Sequence, residues 1–259
     1  MPTPADPVDL LWTGGWDSTF RLLQLVVAEG RAVRPHYVEA PVRAGTSYEL
    51  AAMERIRQRL AGRGLGDLLA PLRTTVEDDI APDPRTKPWI VGLRARSMLG
   101  WQYEYLSRYA REVLPEGGRL ELSVHLDDKA EAFLRPHVVR RGDTYVMRDE
   151  VSDEPMRLFE PFSFPLLDVT KEQMDAAARR GGFSDLMDLT WFCHSPRNGE
   201  PCGTCNPCVY TYNEGMGHRL PRAAHMRRRA ARARRVAGRL VRPARQLAGR
   251  LLRTAGLRP

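Results

Sequence analysis

The feature that most constrains the fold is the stretch DLLWTGGWDSTF at residues 9–20, in which an apolar run leads into two glycines. The run Val8–Trp12 has the length and composition of a strand that is buried on both faces. The segment Thr19–Ala28, which follows the glycines, is typical of a helix. A strand that passes through Gly14 and Gly15 into a helix is the start of a β–α unit, so this stretch predicts a parallel sheet.

The rest of the chain continues the alternation of strands and helices. We expect further strands at 32–40, 68–76 and 119–126, short strands within 139–160, and helices at 46–60, 94–114 and 170–180. Two of these helices begin with a capping-box pair, Thr46 with Glu49 and Thr170 with Gln173. The alternation predicts an α/β fold with a doubly wound, mostly parallel sheet of the Rossmann-like type. Ligands of such sheets bind beyond the carboxyl ends of the strands.

The glycine turn after the first strand stands where such a ligand would bind. Glycine tolerates positive φ and lets a ligand approach the backbone, and the N-terminus of the following helix favours an anion. Ser18 and Thr19 add hydroxyl donors, and Asp17 can cap the helix or help to hold a magnesium ion. The turn lacks the lysine of a Walker A loop and the spacing of a G-x-G-x-x-G motif. Taken alone, these residues are equally compatible with an anion-binding turn and with a tight turn that only caps the helix.

All four cysteines of the chain lie close together, in the pattern C-x8-C-x2-C-x2-C. Cys193, Cys202, Cys205 and Cys208 at this spacing suit a tetrahedral zinc ion with a structural role, since four protein ligands leave no position open for water. An iron–sulfur cluster is a competing interpretation, because C-x2-C-x2-C also occurs in such sites. In a third interpretation, His194 replaces one of the cysteines as a ligand.

The net charge of +8 conceals two segments of opposite charge. Residues 219–259 contain 14 arginines, no lysine and no acidic residue, and subtracting 14 from +8 leaves −6 on residues 1–218. We expect the Arg-rich tail to be either helical, with a break at Pro243, or disordered. Three interpretations of it are open: no dedicated partner, binding to the phosphates of nucleic acid, or contact with an anionic membrane. The last would use an apolar stripe formed by Val236, Leu240, Leu247 and Leu251.

Two features that the sequence lacks bear on its location. No run of 18 apolar residues is present, so we expect no transmembrane helix. The N-terminal segment MPTPADPVDL lacks the basic and apolar regions of a signal peptide. The sequence therefore predicts a cytoplasmic protein.

The loop TGGWDST at residues 13–19 resembles the S-G-G-x-D-S loop of the N-type ATP pyrophosphatases, also called PP-loop enzymes. Thr13 stands where that family usually has serine, and both residues carry a hydroxyl. The resemblance implies that the loop cradles the phosphates of ATP with Mg²⁺. It also implies that ATP is cleaved between its α and β phosphates, which leaves AMP on a substrate oxygen. By position, the residues that hold the pyrophosphate would be Thr13, Gly14, Gly15, Asp17 and Ser18.

A second resemblance lies near the cysteines. The segments FPLLDVTKEQM at 164–174 and DLTWFCHSPRNGEPCGTCNPC at 188–208 are similar to a run found in the 7-cyano-7-deazaguanine synthases, which form preQ0 in queuosine biosynthesis. With the glycine loop, the resemblance covers most of residues 8–215. It implies an ATP-dependent, C–N bond-forming synthase that converts 7-carboxy-7-deazaguanine to a nitrile with ammonia, by adenylation, amidation and dehydration. A homodimer is a further option, since homodimers are common among such folds.

The segments that read the substrate in that family differ in this chain. Its basic segment is matched here only by Arg94 or Arg96, and near the fourth strand Asp127 and Asp128 are the main residues retained. The resemblance therefore does not fix the catalytic residues. The candidates are Asp17, Ser18, Arg94, Arg96 and Asp128.

Two other functions remain open on the sequence: a related PP-loop enzyme that activates a different carboxylate in a modification pathway, or a non-catalytic protein that binds nucleotide and nucleic acid. The sequence divides into an ATP-binding domain at 1–190, a zinc-binding segment packed on it at 191–218, and the basic tail at 219–259. We interpret Lys171 as a solvated charge and His125 as a structural residue.

Overall fold

The computed structural model describes residues 6–40 and 44–234. Its strands are β1 (Val8–Leu11), β2 (Val33–Glu39), β3 (Arg73–Val76), β4 (Leu120–Glu121), β5 (Val138–Arg141), β6 (Thr144–Met147) and β7 (Phe162–Ser163). They form one sheet in the order β3-β2-β1-β4-β7-β6-β5. The first five strands in this order are parallel, and β6 and β5 add an antiparallel hairpin at one edge. The prediction of an α/β fold with a mostly parallel sheet is confirmed.

Helices connect most of the parallel strands. They are α1 (Trp16–Leu23), α2 (Thr46–Gly62), α3 (Thr86–Ala95), α4 (Gln102–Val113), α5 (Lys129–Leu134), α6 (Lys171–Arg180), α7 (Ser184–Met187) and α8 (Asn206–Thr211). The first of them continues through one wider, π-helical turn at Gln24–Ala28. Residues 222–234 form another helix.

The direction in which strands are added reverses at β1. The chain places β2 and β3 on one side of β1, and then returns to place β4 on the other side, where Leu10 pairs with Glu121. The carboxyl ends of β1 and β4 therefore flank the topological switch point of the sheet, which is where ligands of doubly wound sheets bind. The glycine turn follows β1, and residues 122–128 follow β4.

The first strand is buried on both faces, as its apolar composition predicts. Leu10 and Leu11 are 0% and 5% exposed, and their side chains point to opposite faces of the sheet. On one face, Leu10 joins a core with Trp12, Leu23, Met53 and Ile56. On the other face, Leu11 joins a core with Leu93, Leu106, Phe159 and Phe162.

A buried ion pair connects α1 to the strand beside β1. Arg21 Nε donates to Glu121 Oε2 at 2.8 Å, and Arg21 Nη2 donates to Glu121 Oε1 at 2.8 Å. Both side chains are almost entirely buried. This two-bond geometry fixes the helix that begins at the glycine turn relative to β4.

Three elements differ from the prediction. The helix expected at 94–114 begins only at Gln102, as α4, because residues 94 and 95 are the end of α3 and 96–101 separate the two helices. Near the break, Ser97 Oγ donates to the Leu93 carbonyl at 2.7 Å and Arg94 Nη1 donates to the Leu99 carbonyl at 2.6 Å. These side-chain bonds satisfy carbonyls that a continuous helix would pair with backbone N–H groups. The strands expected at 68–76 and 119–126 are limited to Arg73–Val76 and Leu120–Glu121.

One predicted capping box is present and the other is wrong. Thr170 and Gln173 cap α6 reciprocally, with N–H to side-chain oxygen distances of 3.1 and 2.8 Å. At α2 the capping residue is Gly45, and no side chain caps the helix. The Glu49 carboxylate instead accepts a hydrogen bond of 2.7 Å from the Tyr37 hydroxyl, because a buried carboxylate gains more from a hydroxyl donor inside the fold.

The chain divides into two compact units, Met1–Trp191 and Phe192–Pro259. The basic tail predicted at 219–259 is helical at 222–234, whereas its remaining residues, including the proposed apolar stripe and Pro243, lie outside the described part. Within the described ranges, no helix has both the length and the apolar character needed to cross a membrane.

Candidate nucleotide site and four-cysteine centre

The glycine turn has a backbone geometry that only glycine can adopt without strain. Gly14 has φ of +68°, and a Cβ atom at this position would lie 2.9 Å from the Glu49 carbonyl oxygen. Gly15 then occupies the capping position of α1, and no side chain caps that helix. The first turn of α1 thus lies at the switch point, and no capping side chain covers the positive end of its dipole.

The two hydroxyls of the predicted loop lie against each other. Thr13 Oγ1 and Ser18 Oγ are 3.2 Å apart, and the Thr13 N–H donates to Ser18 Oγ at 3.2 Å. The Gly15 N–H reaches Thr13 Oγ1 at 3.4 Å. These contacts hold Thr13, Gly15 and Ser18 in one small cluster around the turn, so the structure brings the predicted loop residues together.

Asp17 lies where three elements converge. Its Oδ1 atom is 3.5 Å from Lys171 Nζ at the start of α6 and 3.8 Å from His125 Nε2 in the turn after β4. The same Oδ1 atom is buried and accepts no hydrogen bond from the residues that the structure describes. The structure therefore groups an acidic, a basic and an imidazole side chain at the carboxyl edge of the sheet.

Sequence reasoning missed two members of this group. Lys171 was expected to be a solvated charge, yet its side chain is 18% exposed and faces Asp17. His125 was expected to be structural, and its side chain is 6% exposed. No local signal could have found them, because His125 closely follows β4 and Lys171 opens α6, and only the assembled sheet brings these two element ends to the same edge.

The other three catalytic candidates each have a partner of their own. Arg94 bonds the Leu99 carbonyl and stacks on Trp101, with its guanidinium carbon 4.5 Å from the ring centre. Arg96 pairs with Asp153. Asp128 caps α5 by accepting from the Ala130 N–H at 2.9 Å. These contacts give the side chains structural roles, and their catalytic assignment stays a prediction.

An aromatic pair adjoins the glycine turn and was not predicted. Tyr48 and Trp191 stack with ring centres 4.7 Å apart and an interplanar angle of 18°. The Trp191 N–H donates to the Gly14 carbonyl at 2.9 Å. The end of the first unit is thereby joined to the turn through a backbone hydrogen bond, and the aromatic pair flanks the loop.

The four cysteine sulfurs form a compact group. All four Sγ atoms lie within 4.8 Å of one another. Cys193 and Cys205 are 3.9 Å apart, Cys202 and Cys208 are 3.9 Å apart, and Cys205 and Cys208 are 3.4 Å apart. Four thiolates around one zinc ion at about 2.3 Å lie about 3.8 Å from one another in a tetrahedron. The arrangement fits a single tetrahedral ion.

The surroundings of the sulfurs favour thiolates at two positions. A hydrogen bond with the Cys208 thiol lowers the pKa of Cys205 to about 4. Burial opposes ionisation of Cys202, but the N–H groups of Thr204 and Cys205 outweigh it and lower the pKa of that thiol. Burial raises the pKa of Cys193 to about 11. A metal ion binds thiolates, so it would displace the protons that remain on the other sulfurs.

Comparison with known proteins gives few relatives. No protein-family profile matches the chain, and no curated protein matches it. Among solved structures, it is similar to the U34-tRNA thiolase NcsA from Methanococcus maripaludis with its 4Fe-4S cluster. The two chains are 14% identical, and the match covers 88% of this chain and 72% of the other with a TM-score of 0.43.

Proposed function

We propose that this protein binds ATP at the glycine turn and activates a carboxylate as its adenylate, with release of pyrophosphate. The observation that carries the proposal is Asp17, whose buried Oδ1 atom accepts no hydrogen bond from the described residues at the uncapped start of α1. A buried carboxylate oxygen that has ion-pair neighbours at 3.5 and 3.8 Å but accepts no hydrogen bond is incompletely satisfied, which favours a ligand that bonds it directly. Its place at the switch point supports a nucleotide with its metal ion as that ligand.

The residues of the turn suit the polyphosphate of ATP. A magnesium ion carried by ATP would be held by Asp17 and would offset the charge of the phosphates. The N–H groups at the start of α1 favour an anion, and Lys171 adds a full positive charge beside them. The hydroxyls of Thr13 and Ser18 lie within the same turn and can donate to phosphate oxygens.

The reaction that this arrangement serves is a displacement at the α-phosphorus. A carboxylate oxygen of the substrate forms a bond to that phosphorus, and the bond to the bridging oxygen of the β-phosphate breaks. Pyrophosphate leaves with the electron pair, and the charge that grows on it is stabilised by the N–H groups of the turn and by Lys171. The protein contributes mainly by orienting the reactants, since the attacking oxygen and the leaving group have to be in line.

For the substrate, we propose 7-carboxy-7-deazaguanine, on the resemblance of residues 164–174 and 188–208 to the preQ0-forming synthases. Ammonia would add to the acyl-adenylate carbon and expel AMP to give an amide. The amide oxygen would then bond to the α-phosphorus of a second ATP and expel pyrophosphate. Loss of that oxygen with AMP, and of both amide protons, would give the nitrile. A different carboxylate would follow the same first step.

We also propose that the four cysteines hold one structural zinc ion. The sulfur spacing supports a single ion, because an iron–sulfur cluster spreads its four thiolates over different iron atoms and therefore holds them farther apart. Four protein ligands leave no open position for substrate or water. Metal analysis of the purified protein should give about one zinc per chain. Iron and labile sulfide in its place would overturn the zinc assignment.

The activity is tested by incubating the protein with MgATP, ammonium and 7-carboxy-7-deazaguanine while AMP, pyrophosphate and product mass are followed. We expect AMP formation, with Asp17→Asn lowering kcat/KM for ATP at least about a hundredfold. The control is Asp67→Asn, which changes an exposed carboxylate ahead of β3 and should leave the rate unchanged. Thermal melting of both variants shows whether the fold is intact.

The outcomes separate the alternatives. Undiminished AMP formation by a folded Asp17→Asn variant would show that the glycine turn is not the nucleotide site. AMP formation with another carboxylate but not with 7-carboxy-7-deazaguanine would retain the site and replace the substrate. Tight ATP binding without AMP, whichever carboxylate is supplied, would identify a non-catalytic nucleotide-binding protein.

A further inference from the structure

The helix at 222–234 is held on one side by the segment that carries the cysteines. Gly203, with φ of +79°, lies so close to this helix that a Cβ atom would overlap the Ala224 carbonyl and lie 2.8 Å from its carbon. Arg227 donates to the carbonyls of Cys202 and Pro201, at 2.9 and 3.2 Å. The backbone next to the second metal-ligating cysteine therefore forms the surface on which the helix rests.

A second contact holds the same side of the helix. Arg228 donates to the Asn213 side chain at 2.9 Å, and its guanidinium carbon lies 4.0 Å from the centre of the Tyr212 ring. Ala224, Arg227 and Arg228 are spaced by three and four residues, so they share one face of the helix. Two arginines of the helix, Arg227 and Arg228, therefore belong to the anchored face. The contacts that hold the helix do not involve its exposed arginines.

The opposite face of the helix is exposed and basic. Arg222, Met226 and Arg229 follow the i, i+4, i+7 spacing of a single helical face, with Arg232 beside them. All four residues are exposed. No acidic residue occurs between 219 and 259 to offset these charges. The helix thus separates anchoring arginines from outward-facing ones.

We propose that this exposed arginine face binds the phosphodiester backbone of nucleic acid. Its partner has to carry closely spaced negative charge, because arginines at 222, 229 and 232 repeat along one side of a helix without an acidic neighbour. The proposal does not depend on the ATP-dependent reaction.

The composition of the face favours nucleic acid over a lipid surface. A helix that lies on a membrane buries a broad apolar face opposite its basic one. In the helix at 222–234, the face opposite the exposed arginines is occupied by contacts with the cysteine segment and with Tyr212. Met226 is the large apolar side chain exposed within this described helix, and a single such residue does not make an apolar face.

The test measures binding of the full-length protein to a short duplex RNA and a short duplex DNA by fluorescence anisotropy, over a range of salt concentration. The triple variant R222Q/R229Q/R232Q should raise Kd about tenfold or more near 0.1 M salt. It should also reduce the slope of log K against log salt by about 3, because three phosphate contacts are lost. The variant R222K/R229K/R232K keeps the charge and should retain most of the affinity.

The matched control removes three exposed charges elsewhere. R55Q/R59Q/K87Q takes the same charge from α2 and α3 and should leave Kd within about twofold. Vesicles of phosphatidylcholine with phosphatidylserine provide the competing surface. Wild-type protein that binds these vesicles but neither duplex, or a triple Gln variant that binds the duplexes as tightly as wild type, would overturn the proposal.

Discussion

At the scale of single residues, Gly14 is a position that its backbone conformation and its close neighbours both restrict to glycine. It combines φ of +68° with a neighbouring carbonyl 2.9 Å from the place of a Cβ atom. Gly30 has nearly the same φ, +64°, but no atom lies within 4 Å of its Cβ position. Substitutions at these two positions therefore distinguish the cost of a positive φ from the cost of steric overlap.

We expect Gly14→Ala to lower the free energy of unfolding more than Gly30→Ala does. Both variants bear the left-handed strain of about 1 kcal/mol. Only Gly14→Ala adds overlap with the Glu49 carbonyl, which brings a further loss of about 1–3 kcal/mol. Urea unfolding of both variants measures the difference. Equal losses would show that α2 yields easily around the turn.

Asp9 gives the fold a pH dependence on the acid side. Burial alone would raise the pKa of this carboxyl, but hydrogen bonds from His36 at 2.7 Å and Arg34 at 3.0 Å outweigh it and hold the pKa below its usual value. The ionised form is thus favoured in the folded state. Its contribution to stability is complete above the unfolded pKa of about 3.9 and is lost as the pH falls through the lower folded pKa.

The expected result is that Asp9→Asn flattens the acid limb of the stability profile. Urea unfolding between about pH 5 and pH 2 should show a smaller decline for the variant than for the wild type. Asp67→Asn, at an exposed position, serves as the control and should keep the wild-type slope. An acid limb that is unchanged in Asp9→Asn would assign the decline to other carboxyls.

Residues whose role depends on near neighbours could be predicted, and those whose role depends on distant ones could not. Gly14 and the four cysteines are recognisable because their constraints arise within a few positions. Lys171 and His125 are not, because each meets Asp17 only after the sheet has brought together segments far apart in sequence. Local spacing contains no record of that meeting.

At the scale of elements, the buried pair Arg21–Glu121 fixes α1 against β4. Glu121→Gln removes the counter-charge that bonds the buried Arg21 guanidinium twice and leaves it the longer 3.5 Å ion pair with Glu29, so we expect a loss of about 3 kcal/mol in the free energy of unfolding. Arg21→Met with Glu121→Leu removes both charges and should recover much of that loss. Urea unfolding compares the two variants.

The control for that pair is Asp149→Asn, which breaks the exposed ion pair with Arg141 and should leave stability nearly unchanged. If Glu121→Gln lowered the free energy of unfolding as little as Asp149→Asn, water would have to reach Arg21. In that case α1 would not be fixed by this pair.

Elements were predicted well where one pattern acted alone. The capping box at Thr170 formed, with Gln173 bonded back to the Thr170 N–H. The box at Thr46 did not, because Glu49 bonds Tyr37 from the neighbouring strand. The helix expected at 94–114 is interrupted at 96–101 for a similar reason, since Arg94 and Ser97 bond carbonyls near the break. In the last two cases, a side chain bonds a group other than the one that the local sequence pattern predicts.

At the scale of the whole molecule, the second unit should depend on the metal ion that we propose for the four cysteines. Cys193, Cys202, Cys205 and Cys208 lie close together in a segment with little regular structure, so a bound ion would stabilise a segment that is too short for a large apolar core. Chelation should increase hydrogen exchange at the cysteine segment and at residues 222–234. Peptides from the sheet strands provide the internal reference. Unchanged exchange in the second unit would show that its fold is independent of metal.

The packing of the helix at 222–234 on the cysteine segment can be tested separately, without chelation. Gly203→Ala introduces overlap with Ala224, whereas Gly199→Ala has the same sign of φ, +80°, and no atom within 4 Å of its Cβ position. We expect faster exchange at 222–234 in the first variant only. The mixed topology of the sheet was harder to foresee, because the antiparallel hairpin β5–β6 joins β7 over a short stretch, in which Val146 pairs with Ser163 and Tyr145 exchanges backbone hydrogen bonds with Phe164.

The position of β4 has a consequence for the order in which the protein folds. Arg21 and Glu121 are 100 residues apart along the chain, although they lie side by side in the sheet. During synthesis, β1, β2 and β3 can pair before β4 has left the ribosome, because their contacts close shorter loops. The edge where Asp17 meets His125 therefore comes into existence late, and a nascent chain stopped before residue 120 would carry the glycine turn without the second wall of its site.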